Sequence, residues 1–247
     1  MAKTAIRGPA TQDAAAVETV LELRGVTRVL PGPVPVTLVR DIDLKIPRAT
    51  FAAITGPSGS GKSSLLYLLS LLDRPTSGEV FLEGRPIDGL SDAARADIRL
   101  KKLGFVFQFH FLLPEFSALD NVMLPMRKAR LLEPKAMRAR AEDLLHQLDL
   151  DDSARKLPGQ LSGGQRQRVA IARALANDPH VVFADEPTGN LDTRNARIVF
   201  DIFERLVDVE GRSVVTVTHD PDLAARAEMQ IRIVDGRIVE AESSSGR

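Results

Sequence analysis

The octapeptide GPSGSGKS, at residues 56–63, constrains the fold of this chain more than any other stretch. It follows a short apolar run, residues 50–55, that is typical of a buried strand, and it leads into a leucine-rich run, residues 62–72, that is typical of a buried helix. A glycine-rich loop of the form G-x4-G-K-[ST] between a strand and a helix is the pattern of a phosphate-binding loop. The sequence therefore predicts an α/β fold with an anion site at the start of this helix.

The residues of this loop have distinct predicted roles. Glycines allow the backbone N–H groups to approach the phosphates closely, Lys62 would reach the β- and γ-phosphates, and Ser63 would ligate Mg²⁺. A plain glycine-rich turn is the alternative, and the strand before and helix after argue against it. The predicted cofactor-binding residues here are Gly56, Pro57, Ser58, Gly59, Ser60, Gly61, Lys62, Ser63 and Ser64.

Two adjacent carboxylates end a second apolar run, VVFADE, at residues 181–186. Asp185 is suited to hold Mg²⁺, and Glu186 is suited to polarise an attacking water. Either residue could instead cap a helix or lie solvated in a loop. Beside a phosphate-binding loop the catalytic interpretation is favoured, with Asp185 as a metal ligand and Glu186 as the general base.

A second glycine-rich anion site is predicted at LSGGQ, residues 161–165, immediately before another helix. One ATP needs only one such site in its own chain. The second site is therefore expected to serve a nucleotide that is bound elsewhere. Its predicted nucleotide-binding residues are Ser162, Gly163, Gly164 and Gln165.

The remaining patterns alternate strand and helix and predict a parallel sheet covered by helices. Apolar runs at 181–184 and 214–218 are separated by an amphipathic helix at 194–209, and residues 21–29 and 37–46 predict an early pair of strands. The segment from 91 to 158 is predicted to be mostly helical, and an Asp-Gly turn at 235–236 predicts a hairpin. Residues 1–19 and 241–247 are predicted to be flexible tails around one domain at 20–240.

Composition excludes several classes of function. The 247 residues carry 33 Lys and Arg against 33 Asp and Glu, and this balance argues against a nucleic-acid-binding partner. The absence of cysteine excludes disulfides, Cys-ligated zinc, iron–sulfur clusters and thiol nucleophiles. No apolar run approaches the roughly 20 residues of a spanning helix, so no direct membrane span is predicted.

These motifs together resemble the nucleotide-binding subunit of ATP-binding-cassette (ABC) transporters, over residues 21–240. The resemblance implies a P-loop NTPase cassette with a RecA-like core, an antiparallel β subdomain and an inserted helical subdomain at about 91–160. It implies a head-to-tail homodimer, in which the phosphate-binding loop of one copy and LSGGQ of the other enclose each ATP with its Mg²⁺. It also implies that Gln108 is a catalytic and metal-binding loop glutamine, that residues 189–192 form a dimer contact, and that His219 contacts the γ-phosphate.

The histidines of the chain are interpreted differently from one another. A lone histidine is more often structural, and His110, His146 and His180 are interpreted in that way. His219 is expected to be catalytic because it follows a predicted strand, at the end where ligands gather in open α/β sheets, and because the other motifs agree with it in order.

A narrower resemblance lies in the stretch QFHFLLPEFSALDNV, residues 108–122, and in DEPTGNLD, residues 185–192. Both are similar to the lipoprotein-releasing (Lol-type) ATPases, the macrolide exporters and the FtsE-like proteins. The resemblance implies that the first stretch receives a coupling helix of an integral membrane permease of FtsX, MacB or LolCE type, which would hold the chain at the cytoplasmic face of the inner membrane. Core packing of the helical subdomain is the alternative interpretation of its phenylalanines and leucines.

The chain departs from the family at one place, because no aromatic residue lies near Leu30 to stack on adenine. A stacked ring contributes on the order of 1 kcal/mol, so weak discrimination between ATP and GTP is predicted. DNA-repair and translation-factor ATPases are disfavoured, since there is no long coiled coil after Gln108 and only one cassette. An FtsE-like regulatory ATPase that signals through its membrane partner without transport remains an alternative to export.

Overall fold

The structure is a computed structural model, and it describes residues 18–243. Ten strands and seven α-helices are formed by these residues. The strands are β1 (Thr19–Leu30), β2 (Val36–Pro47), β3 (Phe51–Thr55), β4 (Ser77–Leu82), β5 (Arg85–Pro86), β6 (Leu103–Phe107), β7 (Val181–Asp185), β8 (Ser213–Val217), β9 (Met229–Val234) and β10 (Arg237–Ser243). The helices are α1 (Lys62–Leu69), α2 (Asp92–Lys102), α3 (Ala118–Ala129), α4 (Pro134–His146), α5 (Gly163–Leu175), α6 (Thr193–Asp208) and α7 (Pro221–Arg226).

Six strands form the central sheet in the order β10-β9-β3-β8-β7-β6. The neighbours from β9 to β6 are parallel, and only β10 pairs antiparallel, through the predicted hairpin with β9. The strands β3, β7 and β8 are buried along almost their whole length, as expected for strands covered on both faces. Because these strands are parallel, their carboxyl ends lie at one edge of the sheet.

A separate antiparallel sheet has the order β2-β1-β4-β5. It packs together with α1 and one face of the central sheet into a single apolar core that includes Leu23, Ile46, Leu65 and Val215. The first turn of α1, which follows the phosphate-binding loop, is therefore anchored between the two sheets. The predicted early strand pair is confirmed, with twelve residues in each strand.

The opposite face of the central sheet is covered by helices. Side chains of α3, α4, α5 and α6 share a second core with Val182 and Val214, and the rings of Phe51 and Phe203 meet edge to face at 6.1 Å. The sheet is thus covered on both faces, which agrees with the predicted α/β class.

The predicted, mostly helical segment at 91–158 needs a correction, because β6 lies within it. This strand pairs in parallel with β7, from Leu103 opposite Val181 to Phe107 opposite Asp185, and forms the edge of the central sheet. Its five residues follow α2 directly, with no intervening turn, so no local signal separates it from the helix. The helices α3 and α4 begin only after this strand.

The ends of the chain also differ from the prediction. Strand β10 extends to Ser243, so the first three residues of the predicted tail at 241–247 pair with β9. At the other end β1 begins at Thr19, the last residue of the predicted tail at 1–19. The rest of the two predicted tails, residues 1–17 and 244–247, lies outside the described residues. Within residues 18–243 no helix has the length and apolar character needed to cross a membrane.

Candidate active site

The predicted catalytic residues follow the carboxyl ends of four neighbouring strands and therefore lie at one edge of the central sheet. In spatial order β3 leads into the phosphate-binding loop, β8 into His219, β7 into Asp185 and Glu186, and β6 into Gln108. Residues that are more than 150 positions apart in sequence are neighbours here, as ligand-binding residues are at the carboxyl ends of open α/β sheets.

The phosphate-binding loop is held by its own lysine and by neighbouring backbone. Lys62 is buried, with 6% of its surface exposed, and its Nζ donates to the carbonyl oxygens of Gly56 at 3.0 Å and Pro57 at 2.8 Å. Gly61 adopts a φ of +102°, and a Cβ there would lie 2.4 Å from the carbonyl oxygen of Leu38, so only glycine fits. The loop therefore wraps around the lysine ammonium, and the N–H groups at the start of α1 remain available to an anion.

Asp185 lies at the end of β7 between two hydroxyl groups of α1. The Oγ of Ser63 donates to Oδ1 at 3.4 Å, and the hydroxyl of Tyr67 donates to Oδ2 at 3.3 Å. Burial raises the pKa of the Asp185 carboxyl and the neighbouring Glu186 adds to this rise, while the two hydroxyls and Lys62 oppose it. A partly buried carboxylate that faces a serine hydroxyl is an oxygen donor set suited to a hard divalent cation.

Glu186 and His219 form a pair at the centre of the edge. Glu186 has a φ of +47°, an uncommon conformation for a residue with a side chain, and its N–H donates to the carbonyl of Val217 at 2.9 Å. The carboxylate Oε1 of Glu186 lies 2.9 Å from Nε2 of His219. The two side chains are 31% and 51% exposed, so both can reach a ligand from solvent.

Gln108 follows β6 and faces the residues that follow β7. Its side-chain amide donates to Oδ1 of Asn190 at 3.4 Å, and the amide of Asn190 donates to the Gln108 carbonyl at 3.3 Å. Gln108 shares a cavity of about 240 Å³ with Ser63, Asp185 and Glu186. The structure thus brings together the three predicted metal ligands and the predicted base.

The LSGGQ segment forms the start of α5. Ser162 and Gln165 form a reciprocal capping box, with Gln165 N donating to the serine Oγ at 3.2 Å and Ser162 N donating to Gln165 Oε1 at 2.9 Å. A Cβ on Gly164 would lie 1.9 Å from Oδ1 of Asn195, so any larger residue there would have to displace this side chain of α6. None of the hydrogen bonds among residues 18–243 joins Ser162, Gly163, Gly164 or Gln165 to residues 56–64.

The stretch after β6 exposes two aromatic rings. Phe109 and Phe111 are 64% and 63% exposed, and both line the same cavity as Ser63 and Asp185. The Phe111 ring also meets Phe107 of β6 edge to face at 5.5 Å, so the stretch packs on the sheet and faces solvent at the same time.

Sequence reasoning missed two residues of this edge. No role is predicted for Tyr67 from the sequence, but its hydroxyl contacts Asp185. Arg173 of α5 donates to the carbonyl oxygens of His110 and Phe111, both at 2.7 Å, and so ties the LSGGQ helix to the exposed stretch. The spacing of Ser63 and Tyr67, one helical turn apart, is the only sequence signal for the first contact, and no pattern indicated the second.

The fold and the edge define the chain as a P-loop nucleotide-binding cassette. The family model described as ABC transporter matches residues 39–189. The chain belongs to the ABC transporter family, and the predicted class, an ATPase cassette of a transporter, is confirmed.

Named relatives and solved structures agree with this assignment. The chain is 49% identical to the lipoprotein-releasing system ATP-binding protein LolD 1 of Chlorobium chlorochromatii, over 82% of each chain. It is 48% identical to LolD of Bordetella avium, over 84% of this chain and 90% of that protein. The dimeric cassette MJ0796, in a post-hydrolysis state with ADP and Pi, has a TM-score of 0.85 and 38% identity, covering 92% of this chain and 100% of its own.

Proposed function

We propose that this chain hydrolyses ATP with Mg²⁺ as one half of a head-to-tail homodimer, and that it drives a membrane permease that releases lipoproteins. The observation that carries the proposal is the convergence of four adjacent strand ends on one edge, with the Glu186 carboxylate 2.9 Å from His219. Each strand end supplies a group with a different task in phosphoryl transfer.

The residues at this edge fit a Mg²⁺ ion. Mg²⁺ prefers oxygen ligands and usually keeps few protein ligands beside water and substrate phosphates. Ser63 and Asp185 would hold the ion, and Gln108 would approach it from the other side of the same cavity. No cluster of three or more His, Asp or Glu side chains suited to a metal exists among residues 18–243, so the nucleotide phosphates would complete the ligand set. The bound ion would neutralise charge on the β- and γ-phosphates.

Hydrolysis at such an edge depends on positioning and charge rather than on covalent chemistry. Lys62 and free backbone N–H groups of the phosphate-binding loop would hold the phosphates. Glu186 would accept a proton from the attacking water, and His219 would hold Glu186 in place while facing the γ-phosphate. The Glu186 residue has a left-handed backbone conformation, and its carboxylate lies 2.9 Å from Nε2 of His219.

The LSGGQ segment supports a dimer. Gly163 and Gly164 lie in the first turn of α5 beside Ser162 and Gln165, and no hydrogen bond among residues 18–243 joins these four residues to the phosphate-binding loop. A second copy, arranged head to tail, would supply its phosphate-binding loop to them. Two structures of the similar cassette MJ0796 are described as dimeric, which agrees with this arrangement.

The exposed stretch after β6 supports a permease contact. Three apolar side chains of this stretch are exposed, namely Phe109, Phe111 and Leu113. Clusters of exposed apolar side chains mark interaction sites. A coupling helix of a permease would cover them, and this contact would hold the chain at the cytoplasmic face of the inner membrane. The named relatives favour lipoprotein release over the FtsE-like alternative, since both belong to lipoprotein-releasing systems.

The proposal is tested with the full chain and its co-purifying permease in liposomes that carry a lipid-anchored protein. ATP with Mg²⁺ should release the lipid-anchored protein, and the Lys62→Ala variant should release none. ATP hydrolysis without release would favour the signalling alternative, and absence of hydrolysis would overturn the proposal as a whole.

A further inference from the structure

Tyr67 is the only tyrosine of a chain that contains no tryptophan. It lies in α1 four residues after Ser63, and residues spaced by four lie on one face of a helix, one turn apart. The helix that follows the phosphate-binding loop therefore presents two hydroxyl groups, in line, toward the end of β7.

Each hydroxyl contacts a different oxygen of the same carboxylate. The Oγ of Ser63 donates to Oδ1 of Asp185, and the Tyr67 hydroxyl donates to Oδ2. The backbone of Asp185 is itself held in the sheet, since β7 pairs with β6 on one side and β8 on the other. With the backbone fixed and both oxygens bonded, rotation of the carboxylate about its side-chain bonds is restricted.

The Tyr67 side chain is exposed, unlike the buried leucines of α1. Its relative exposure is 36%, and the same helix turn contributes four other side chains, Leu65, Leu66, Leu68 and Leu69, that are at most 2% exposed. A carboxylate oxygen only accepts hydrogen bonds, so the phenol hydroxyl is the donor in this contact.

We propose that Tyr67 is a positioning residue for the metal site: its hydroxyl holds Oδ2 of Asp185 so that Oδ1 faces Ser63 and the Mg²⁺ of bound ATP. The inference rests on the proposed function, because it concerns the metal that accompanies the nucleotide. It assigns to α1 a second task beyond the phosphate-binding loop, namely the orientation of a metal ligand from the neighbouring strand.

The test compares Tyr67→Phe, which keeps the ring, with the matched control Ser70→Ala. Ser70 lies one turn from Tyr67, and its Oγ bonds only to a backbone carbonyl of the same helix, that of Tyr67, at 3.4 Å. Mn²⁺ binding in the presence of a non-hydrolysable ATP analogue is measured by EPR. Tyr67→Phe should raise the apparent Kd for Mn²⁺ about 3- to 10-fold, the effect of one lost hydrogen bond, and leave the affinity for the metal-free analogue unchanged. Ser70→Ala should match the wild type in both measurements.

Equal Mn²⁺ affinities of Tyr67→Phe and Ser70→Ala would overturn the role of Tyr67. If the wild-type chain binds the analogue and hydrolyses ATP in the same preparation, that result leaves the proposed function intact. If the wild-type chain does neither, the proposed function fails instead, so the two failures are distinguishable.

Intrinsic fluorescence supplies a second readout that needs no hydrolysis. Tyrosine emission of the full chain comes from Tyr67 alone, and a carboxylate that accepts a hydrogen bond from a phenol quenches its emission. Asp185→Asn should therefore increase the emission of the nucleotide-free chain, and Tyr67→Phe should abolish it. Equal emission from Asp185→Asn and wild type would mean that the contact is absent in solution and would contradict the proposal.

Discussion

The Nε2 atom of His219 lies 2.9 Å from Oε1 of Glu186, although the two residues follow different strands, β8 and β7. The pair places an imidazole beside the carboxylate that we assign as general base, at the edge where the phosphate-binding loop begins. A base that is held by a neighbour needs no reorientation when the attacking water arrives.

Replacement of Glu186 by Gln is expected to lower the steady-state ATPase rate by a factor of roughly 10² to 10⁴, because the amide cannot accept the proton of the water. ATP binding and ATP-induced dimers should persist, since the phosphate-binding loop is unchanged. Phosphate release and size-exclusion chromatography measure the two effects. A rate close to that of wild type would remove Glu186 from the role of base.

Nucleotide selectivity is expected to be weak, because Leu30 at the end of β1 is an exposed aliphatic residue and β1 contains no aromatic residue. The wild-type chain should hydrolyse GTP at a rate comparable to ATP. Leu30→Tyr should increase ATP affinity about fivefold, which corresponds to the ~1 kcal/mol of a stacked ring. Competition between the two nucleotides for a fluorescent analogue measures this, and a strong wild-type preference for ATP would contradict the prediction.

Permease association is expected to depend on the exposed side chains after β6. Leu113→Asp should weaken co-purification with the permease, because it introduces a charge into an apolar contact. Leu131→Asp is the matched control, since Leu131 is 61% exposed but lies in the loop between α3 and α4. The amount of permease that each variant captures in a pull-down measures this effect. Equal capture by Leu113→Asp and Leu131→Asp would favour a core-packing role for the stretch after β6.

Acid stability is expected to depend on Glu83, which joins the two sheets through Lys102, Arg48 and His180. Burial by itself raises the pKa of Glu83, but hydrogen bonds from these three residues outweigh it and lower the pKa from 4.5 to about 2. A carboxylate with a lowered folded-state pKa contributes stability above its unfolded pKa and loses that contribution as the pH falls toward the folded one.

The wild-type chain should therefore lose stability between about pH 5 and pH 2 more steeply than Glu83→Gln. At neutral pH the variant should be the less stable protein, because Lys102 and Arg48 lose their charged partner. Urea unfolding as a function of pH measures this, with the exposed Glu79→Gln as control. If the stability of wild type and of Glu83→Gln fell in parallel with pH, the contacts of Glu83 would not be the cause of the acid sensitivity.

Much of the candidate site could be predicted from the sequence because its elements are local. The phosphate-binding loop and LSGGQ each need glycines and a helix start within a few residues, and these appear directly in the chain. The strand β6 could not be predicted, since its five residues continue from α2 without a turn and become a strand only by pairing with β7. The same holds for 241–243, which have a polar tail composition but pair with β9.

The sequence by itself determined the class of protein, the phosphate-binding loop and the identities of the catalytic candidates, because these depend on residue type and short spacing. Only the tertiary structure decided which of them meet. The contacts of Glu186 with His219 and of Tyr67 with Asp185 span 33 and 118 positions, and they exist because parallel strands bring their carboxyl ends to one edge. Such contacts depend on strand order and on the packing of α1, and no local pattern in the chain encodes them.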